Sequence, residues 1–296
     1  MAQDPLVGQT IAGYHIIKEV GEGGTAQVYQ AEHPERGRVA LKVLRPRLAS
    51  DPIAVKRFLR EAEFGARVVH PNVVRTFDFG EADGVYYLAL EWASGEPLEL
   101  FITRSGPIAP PVAARIIEQL GEALEEAHRN GIIHRDLKPA NIMYDAAEQK
   151  ARLLDFGIAR DAEIGAEDRL TRAGFFVGTL QYVAPESLSG ELVGEQADVY
   201  SLAVIAYQLL TEVTPFPGKN PRELFQQLLT EEPTPLNSAV KGLKFSPRLE
   251  EAVMKGLARD LAKRWKTVPE FTRAFCAAAT AEPEKKGFFG SLFKRG

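Results

Sequence analysis

The sequence predicts an α+β fold with two lobes: a small lobe built on an antiparallel β-sheet with one long helix, and a larger lobe that is mainly helical. Three observations support this prediction. Up to Trp92, short apolar runs alternate with turn residues; a single helical pattern interrupts those runs; and after Trp92 helical patterns predominate. A change from strand patterns to helical patterns is typical of a chain that forms a β-sheet lobe and a helical lobe joined by a linker.

The composition excludes several classes of function. The 296 residues are 45% hydrophobic and carry 36 basic and 40 acidic side chains, a net charge of -4, which gives no reason to expect a nucleic-acid partner. The single cysteine, Cys276, excludes an internal disulfide framework, and we interpret it as a small apolar residue of the last helix. No apolar run approaches the roughly 20 residues that cross a bilayer, and no leader pattern is visible, so we expect a cytoplasmic protein.

The small lobe is predicted to contain five antiparallel strands. Each run alternates or concentrates apolar residues between turn residues. One helix, over residues 53–69, interrupts the strands, because its apolar positions from Ala54 to Gly65 recur every three or four residues. The predicted strands cover residues 15–20, 28–31, 39–44, 73–79 and 85–92.

The large lobe is predicted to be helical after a linker at residues 93–97, which are small or contain Gly and Pro. Apolar residues recur at every fourth position from Val112 to Leu124, which predicts an amphipathic helix that ends at Gly131 as its C-cap. Residues 198–210 are apolar nearly all round, so this helix should be buried inside the lobe. Further helices are predicted near residues 222–229, 247–257 and 268–278.

Polar groups suited to phosphate chemistry are concentrated between residues 134 and 157. His134-Arg135-Asp136-Leu137-Lys138-Pro139-Ala140-Asn141 is followed by an apolar stretch and then by Asp155-Phe156-Gly157. Asn141 and Asp155 are oxygen ligands of the kind that Mg²⁺ prefers, and Asp136 could receive a hydroxyl proton. The interval between Asn141 and Asp155 is long enough for a strand, a turn and a return strand, which would bring the two ligands together.

With these motifs the chain resembles the eukaryotic-like Ser/Thr protein kinases of bacteria, and the resemblance extends from about Ile11 to about Phe275. It implies transfer of the γ-phosphoryl group of ATP to Ser or Thr hydroxyls of proteins, with Mg²⁺, or alternatively Mn²⁺, as the metal. In this family Asp136 is the catalytic base or orients the hydroxyl, and Lys138 balances charge on the transferred group. Asn141 and Asp155 hold the metal, and His134 is structural.

The resemblance also implies a nucleotide-binding end in the small lobe. The segment from Gly21 to Val28 resembles the glycine-rich loop that covers the phosphates, although Ala26 occupies the position of the third glycine. Taken alone, such a segment is as often an ordinary turn. The nucleotide contacts implied in and beside this loop are Gly21, Gly23, Gly24, Val28 and Ala40.

Lys42 is charged within an otherwise apolar strand, so it needs a partner. The resemblance assigns it to the α- and β-phosphates, with Glu61 as the ion-pair partner that orients it. It also places Leu90 beside the adenine and assigns the backbone of Glu91 to Ala93 to the base. The alternative is a solvated edge-strand lysine and a surface glutamate.

Two further implied contacts concern the substrate side. Thr179 resembles the family threonine that hydrogen-bonds the catalytic aspartate and lysine, which here are Asp136 and Lys138. Glu186 of Ala184-Pro185-Glu186 should form a buried ion pair with Arg264, and removing either partner should be strongly destabilising.

Regulation is predicted at Thr171, in the loop between Gly157 and Gly178. Our hypothesis is that phosphorylation of Thr171, by the protein itself or by a second copy in trans, creates a charge that pairs with Arg135 and orders the loop. The alternative is an ordinary solvated threonine.

The predicted domain order is an N-terminal extension (1–10), a kinase-like small lobe (11–93), a large lobe (94–280) and a basic-aromatic tail (281–296). Phe288, Phe289, Leu292 and Phe293 of the tail are bracketed by lysines and an arginine. Such a tail could make weak contact with an anionic membrane at its inner face, serve as a docking motif, or remain disordered.

Two other functions remain open at the level of sequence. A catalytically silent kinase fold acting as a scaffold is favoured only by Ala26, since Lys42, Glu61, Asp136, Asn141 and Asp155 are all present. A small-molecule phosphotransferase of related fold is disfavoured by the intact 184–186 segment and Arg264.

Overall fold

The computed structural model describes residues 4–154, 180–189 and 193–281, which form a small β-sheet lobe and a larger helical lobe. The small lobe contains a six-stranded antiparallel sheet in the order β1-β2-β3-β4-β6-β5. All five predicted strands are present; the additional first strand was not predicted. The strands are β1 (Thr10–Ile11), β2 (Tyr14–Glu22), β3 (Ala26–His33), β4 (Gly37–Leu44), β5 (Thr76–Ala82) and β6 (Val85–Glu91).

Residues before β1 pack on the outer face of this sheet. Leu6 and Val7 contact an apolar cluster that includes Tyr29, and the Tyr29 hydroxyl donates a hydrogen bond to Asp4 Oδ2 at 2.8 Å. Strand β1 is only two residues long, too short to show any alternation of apolar and polar residues. Residues 4–11 therefore belong to the small lobe through tertiary contacts, which no local sequence pattern predicts.

The long helix of the small lobe, α1 (Pro52–Arg67), lies close to its predicted range. The Asp51 side chain accepts a hydrogen bond from the backbone N–H of Ile53, and Pro52 occupies the first turn, where no partner for its nitrogen is required. Phe58 and Ala62 are buried against the sheet, as their spacing predicts. Helix α1 thereby carries its neighbouring residue Glu61 to the inner side of the lobe.

The large lobe is built around one buried helix. This helix, α5 (Gln196–Thr211), is buried on almost every side, as predicted from its apolar sequence. Helix α3 (Pro110–Arg129) packs tightly on the last helix, since a Cβ at Gly121 would lie 2.4 Å from Thr272 Oγ1. The other helices of the described residues are α2 (Leu98–Ser105), α4 (Pro185–Ser189), α6 (Pro221–Thr230), α7 (Leu236–Ala239), α8 (Pro247–Gly256) and α9 (Val268–Thr280).

A small second sheet lies where the two lobes meet. It consists of β7 (Glu96–Pro97), β8 (Ile142–Asp145) and β9 (Lys150–Leu153), in that order. The last two are the strand and return strand predicted after Asn141. The predicted linker enters this sheet through Gly95, whose φ of +91° and close approach to Tyr144 admit no side chain.

Cys276 lies on α9, as predicted, with its sulfur 3.4 Å from the carbonyl oxygen of Ala114. Burial raises the pKa of its thiol to about 12. In the part of the chain that the structure describes, no helix combines the length and apolarity needed to cross a membrane. The predicted tail, apart from Ala281, lies outside the described residues.

Candidate active site

Asp136 and Asn141 lie side by side just before β8. Asn141 ends a short 3₁₀ turn (Pro139–Asn141), and its Nδ2 donates to the Asp136 carbonyl oxygen at 3.0 Å and to Asp136 Oδ2 at 3.1 Å. The amide nitrogen is thus engaged with the aspartate. The amide oxygen is the atom of Asn141 suited to a hard cation.

Lys138 completes this group. Its Nζ lies 3.1 Å from Asp136 Oδ2, and the two side chains are 20% and 18% exposed. The pair is therefore neither sealed in the core nor fully solvated, and an incoming molecule can reach both groups. A carboxylate and an ammonium held this close can orient a hydroxyl and balance nearby negative charge.

The loop that carries Asp136 is anchored by Asp198, a residue that we predicted only as part of a buried helix. Asp198 is 0% exposed, and its carboxylate accepts hydrogen bonds from the backbone N–H of His134 at 2.8 Å and of Arg135 at 3.0 Å. His128 Nε2 lies 2.8 Å from the same carboxylate. A charged residue inside an apolar helix was the available sequence signal, because a buried carboxylate requires partners.

The ionisation of Asp198 follows from these partners. Burial opposes the charged form, but the hydrogen bond from His128, the nearby imidazoles and the N–H of His134 outweigh it, so the pKa of Asp198 lies below its ordinary value. Arg135, at φ +62°, adopts a left-handed conformation, which typically costs about 1–3 kcal/mol and persists only where its surroundings impose it. Here the hydrogen bonds from the backbone N–H groups of His134 and Arg135 to Asp198 hold the chain in this conformation. His134 is fully buried, consistent with the structural role expected of it.

Lys42 and Glu61 form the ion pair that the resemblance implied. Lys42 Nζ lies 2.6 Å from Glu61 Oε1, and the two side chains are 14% and 17% exposed. In the sheet register, Lys42 stands directly opposite Val28 on β3 and Leu88 on β6. Val28 therefore shares the inner face of the sheet with the lysine.

A continuous apolar cluster connects this pair to Asn141. It includes Ala40, Leu90 and Ala93, together with Leu154, which follows β9. The backbone N–H of Leu154 donates to the carbonyl oxygen of Asn141 at 3.0 Å, and Leu154, Leu90 and Glu61 line one small cavity. Glu61 and Leu90, which were predicted at the nucleotide end, therefore lie beside Leu154, which is hydrogen-bonded to Asn141 of the catalytic group.

Glu91, the last residue of β6, makes structural contacts through its side chain and its backbone. Its carboxylate lies 2.8 Å from Arg152 Nη1 on β9, and its backbone N–H donates to the Arg75 carbonyl oxygen at 2.8 Å. These contacts fix the chain where β6 passes into the linker. They orient the backbone that the resemblance assigns to the base.

The glycine-rich segment forms the turn between β2 and β3. The N–H of Gly23 donates to the Ala26 carbonyl oxygen at 2.8 Å, and Gly21 stands opposite Val28. Ala26 is only 2% exposed, with its methyl group in the same apolar cluster as Leu44. The departure from the glycine pattern is therefore accommodated by packing.

Glu186 and Arg264 form the predicted buried pair. Arg264 Nη1 and Nη2 donate to the two carboxylate oxygens of Glu186 at 2.6 and 3.0 Å. The predicted residues Asp155, Thr171 and Thr179 lie outside the described residues.

Comparison with known proteins identifies relatives over nearly the whole chain. Residues 14–275 match the protein kinase domain family. Serine/threonine-protein kinase pkn3 of Myxococcus xanthus is 37% identical over 99% of this chain, and serine/threonine-protein kinase PknD of Mycobacterium tuberculosis is 33% identical over 99% of it. The matched regions cover 54% and 43% of those relatives, so the chain spans about half of their length.

A solved structure has a similar fold. The crystal structure of the Mycobacterium tuberculosis PknI kinase domain is 30% identical, with a TM-score of 0.71, over 93% of this chain and 99% of that one. The similarity therefore extends across both lobes and the cleft between them.

Proposed function

This chain belongs to the protein kinase domain family, and from that premise we propose that it is a Ser/Thr protein kinase that transfers the γ-phosphoryl group of ATP to protein hydroxyls. The observation that carries the proposal is the pairing of two lysines with carboxylates, Lys42 with Glu61 in the small lobe and Lys138 with Asp136 in the large lobe. Phosphoryl transfer requires mainly alignment and counter-charge, and this arrangement supplies both.

The nucleotide end would be held by the inner face of the small lobe. Val28 and Ala40 offer an apolar surface for the base, and the backbone at Glu91 and Ala93 offers hydrogen-bonding groups at its edge. Lys42, oriented by Glu61, would contact phosphate oxygens. A lysine held by a carboxylate at 2.6 Å keeps one position, which a solvated lysine does not.

At the catalytic end, Asp136 would orient the substrate hydroxyl and accept its proton, while Lys138 balances negative charge beside it. ATP with Mg²⁺, or alternatively Mn²⁺, supplies the transferable phosphoryl group and further counter-charge. The Asn141 amide oxygen, together with Asp155, would hold the metal, since both are oxygen donors suited to hard cations. The fixed amide nitrogen of Asn141 supports this choice of ligand atom.

A transfer assay with radiolabelled ATP and a generic protein acceptor tests the proposal. We expect Asp136→Asn to lower the rate at least about 100-fold, since a positioned acid-base group contributes roughly 10² to 10⁴. Asp83→Asn is the matched control, because Asp83 lies in an exposed turn with φ +53°, a conformation that asparagine tolerates.

Label on serine and threonine alone would agree with the proposed specificity. Absence of transfer by the wild type, or equal transfer by wild type and Asp136→Asn, would instead favour a catalytically silent scaffold. Mass spectrometry of the protein after incubation with ATP would show whether Thr171 is modified.

A further inference from the structure

Two arginines outside the groups discussed so far donate hydrogen bonds to the glycine-rich loop. Arg45 Nε donates to the Gly23 carbonyl oxygen at 2.8 Å, and Arg47 Nη2 donates to the Gly24 carbonyl oxygen at 2.6 Å. The Arg45 guanidinium also pairs with the Glu22 carboxylate. Consecutive carbonyl groups of the loop thus each receive a charged donor.

These contacts set the orientation of two peptide units. In a planar trans peptide, the carbonyl group and the following N–H point in opposite directions, and no cis peptide occurs in the described residues. Holding the carbonyls of Gly23 and Gly24 therefore turns the N–H groups of Gly24 and Thr25 away from the arginines. The N–H of Gly23 is already used within the turn, by the carbonyl oxygen of Ala26.

The loop is exposed to solvent. All residues from Glu22 to Thr25 are exposed, and a Cβ placed on Gly24 would meet no atom within 4 Å. Glycine peptide units rotate more freely than any others, so their orientation depends on whatever hydrogen bonds they make. Charged donors are the stronger kind of hydrogen-bond partner.

The arginines themselves are well placed to act as a fixed support. They flank Pro46 at the start of a 3₁₀ turn (Pro46–Leu48), and Leu48 packs in the apolar cluster of the cleft. The backbone N–H of Arg45 donates to the Thr25 carbonyl oxygen at 3.0 Å, and this turn follows directly on β4. The arginines therefore tie the loop to the strand that carries Lys42.

We propose that Arg45 and Arg47 are positioning residues, which orient the N–H groups of Gly24 and Thr25 toward the phosphates of a bound nucleotide. Successive backbone N–H groups with a common orientation are an anion-binding arrangement. The inference rests on the proposed function, because it requires a nucleotide in the cleft. It assigns the arginines no contact with the nucleotide itself.

Binding of ATP and of adenosine, measured side by side by calorimetry, tests this proposal. Adenosine has no phosphates, so we expect the Arg45→Ala/Arg47→Ala double variant to bind it with unchanged affinity. We expect its ATP affinity to fall about tenfold, which corresponds to about 1.4 kcal/mol. The KM for ATP should rise by a similar factor, with an unchanged melting temperature.

Two further variants distinguish the positioning effect of the two guanidinium groups from the effect of their positive charge. Arg36→Ala removes one arginine at the far end of the β3–β4 hairpin, where Arg36 lies over the Phe77 ring at 5.1 Å, and should leave ATP affinity unchanged. Arg45→Lys/Arg47→Lys keeps both charges but loses the planar guanidinium with its several donors. We expect this variant to bind ATP at least about threefold more weakly than the wild type.

The outcomes distinguish the two proposals. Wild-type ATP affinity in the lysine variant would assign the effect to charge and overturn the positioning role. The positioning role would also be overturned if the alanine variant lost affinity for ATP and adenosine equally, or if it bound ATP as tightly as the wild type. In each of these cases the kinase proposal would stand. A wild type that binds neither ligand would overturn both.

Discussion

Replacing Arg264 by alanine removes the buried cation that joins the segment containing Glu186 to the last helices. The Arg264 side chain is 0% exposed and that of Glu186 is 5% exposed. Besides the two bonds to Glu186, the guanidinium donates to the carbonyl oxygens of Ala258 at 2.8 Å and Gln196 at 2.9 Å. The variant therefore removes the guanidinium that pairs with a buried carboxylate and that donates to two carbonyl oxygens.

The expected loss of stability follows from these contacts. Removing one partner of a buried ion pair typically costs about 3–5 kcal/mol, because the remaining charge stays buried. For a lobe of this size, each kcal/mol lowers the melting temperature by roughly 2–4 °C. The melting temperature should therefore fall by about 6–20 °C.

Urea denaturation followed by tryptophan fluorescence measures this loss directly. Trp265 is adjacent to Arg264 in sequence, and its Nε1 donates to the Ala252 carbonyl oxygen at 3.0 Å, so its emission reports on the large lobe. Arg273→Ala is the matched control, since Arg273 is exposed on α9. It should change the free energy of unfolding by no more than about 0.5 kcal/mol.

A second variant tests the reasoning and not only the magnitude. Glu186→Leu/Arg264→Met removes both charges and should recover most of the stability lost in Arg264→Ala, because well-packed apolar residues can replace a buried pair. A loss below about 1 kcal/mol in Arg264→Ala would refute the account. A double variant less stable than the single one would show that the stabilisation arises from packing and backbone contacts instead.

Three further predictions concern other parts of the molecule. Gly95→Ala should lower the melting temperature more than Gly84→Ala. Both glycines have a positive φ, but only at Gly95 would an added Cβ clash, since it would lie 2.2 Å from the Tyr144 carbonyl oxygen. Equal melting temperatures of the two variants would contradict this reasoning. Cys276 should react with iodoacetamide at about pH 8 only after unfolding, because burial raises its pKa to about 12; rapid alkylation of the folded protein would argue against its burial. Asp198→Asn should lower kcat and destabilise the protein. The loss of stability should be fully present above pH 3.8, the ordinary pKa of an aspartate, and should shrink as the pH falls below 3.8, because the pKa of Asp198 in the folded protein is lower still. A loss of stability that does not change with pH would exclude this linkage.

Much of the architecture could be predicted from local patterns. The strands and the buried helix α5 were recognisable because alternation and all-round apolarity report directly on which faces are buried. The contact between Asp136 and Asn141 was likewise within reach, because the two residues are close in sequence and a short turn suffices to join them. For these features, chain connectivity and periodicity already restrict the geometry.

Other features depend on contacts between residues far apart in the chain. Asp198 reaches the backbone of Arg135 only because α5 is packed beneath the catalytic loop, and Arg45 reaches Gly23 only because β4 is paired with β3. Neither contact leaves a periodic signal, since each involves one side chain and one backbone group brought together by the packing of whole elements. The order of residues thus determined which helices and strands form and which chemical groups they carry. Tertiary packing determined which groups far apart in the chain come into contact, and in which orientation.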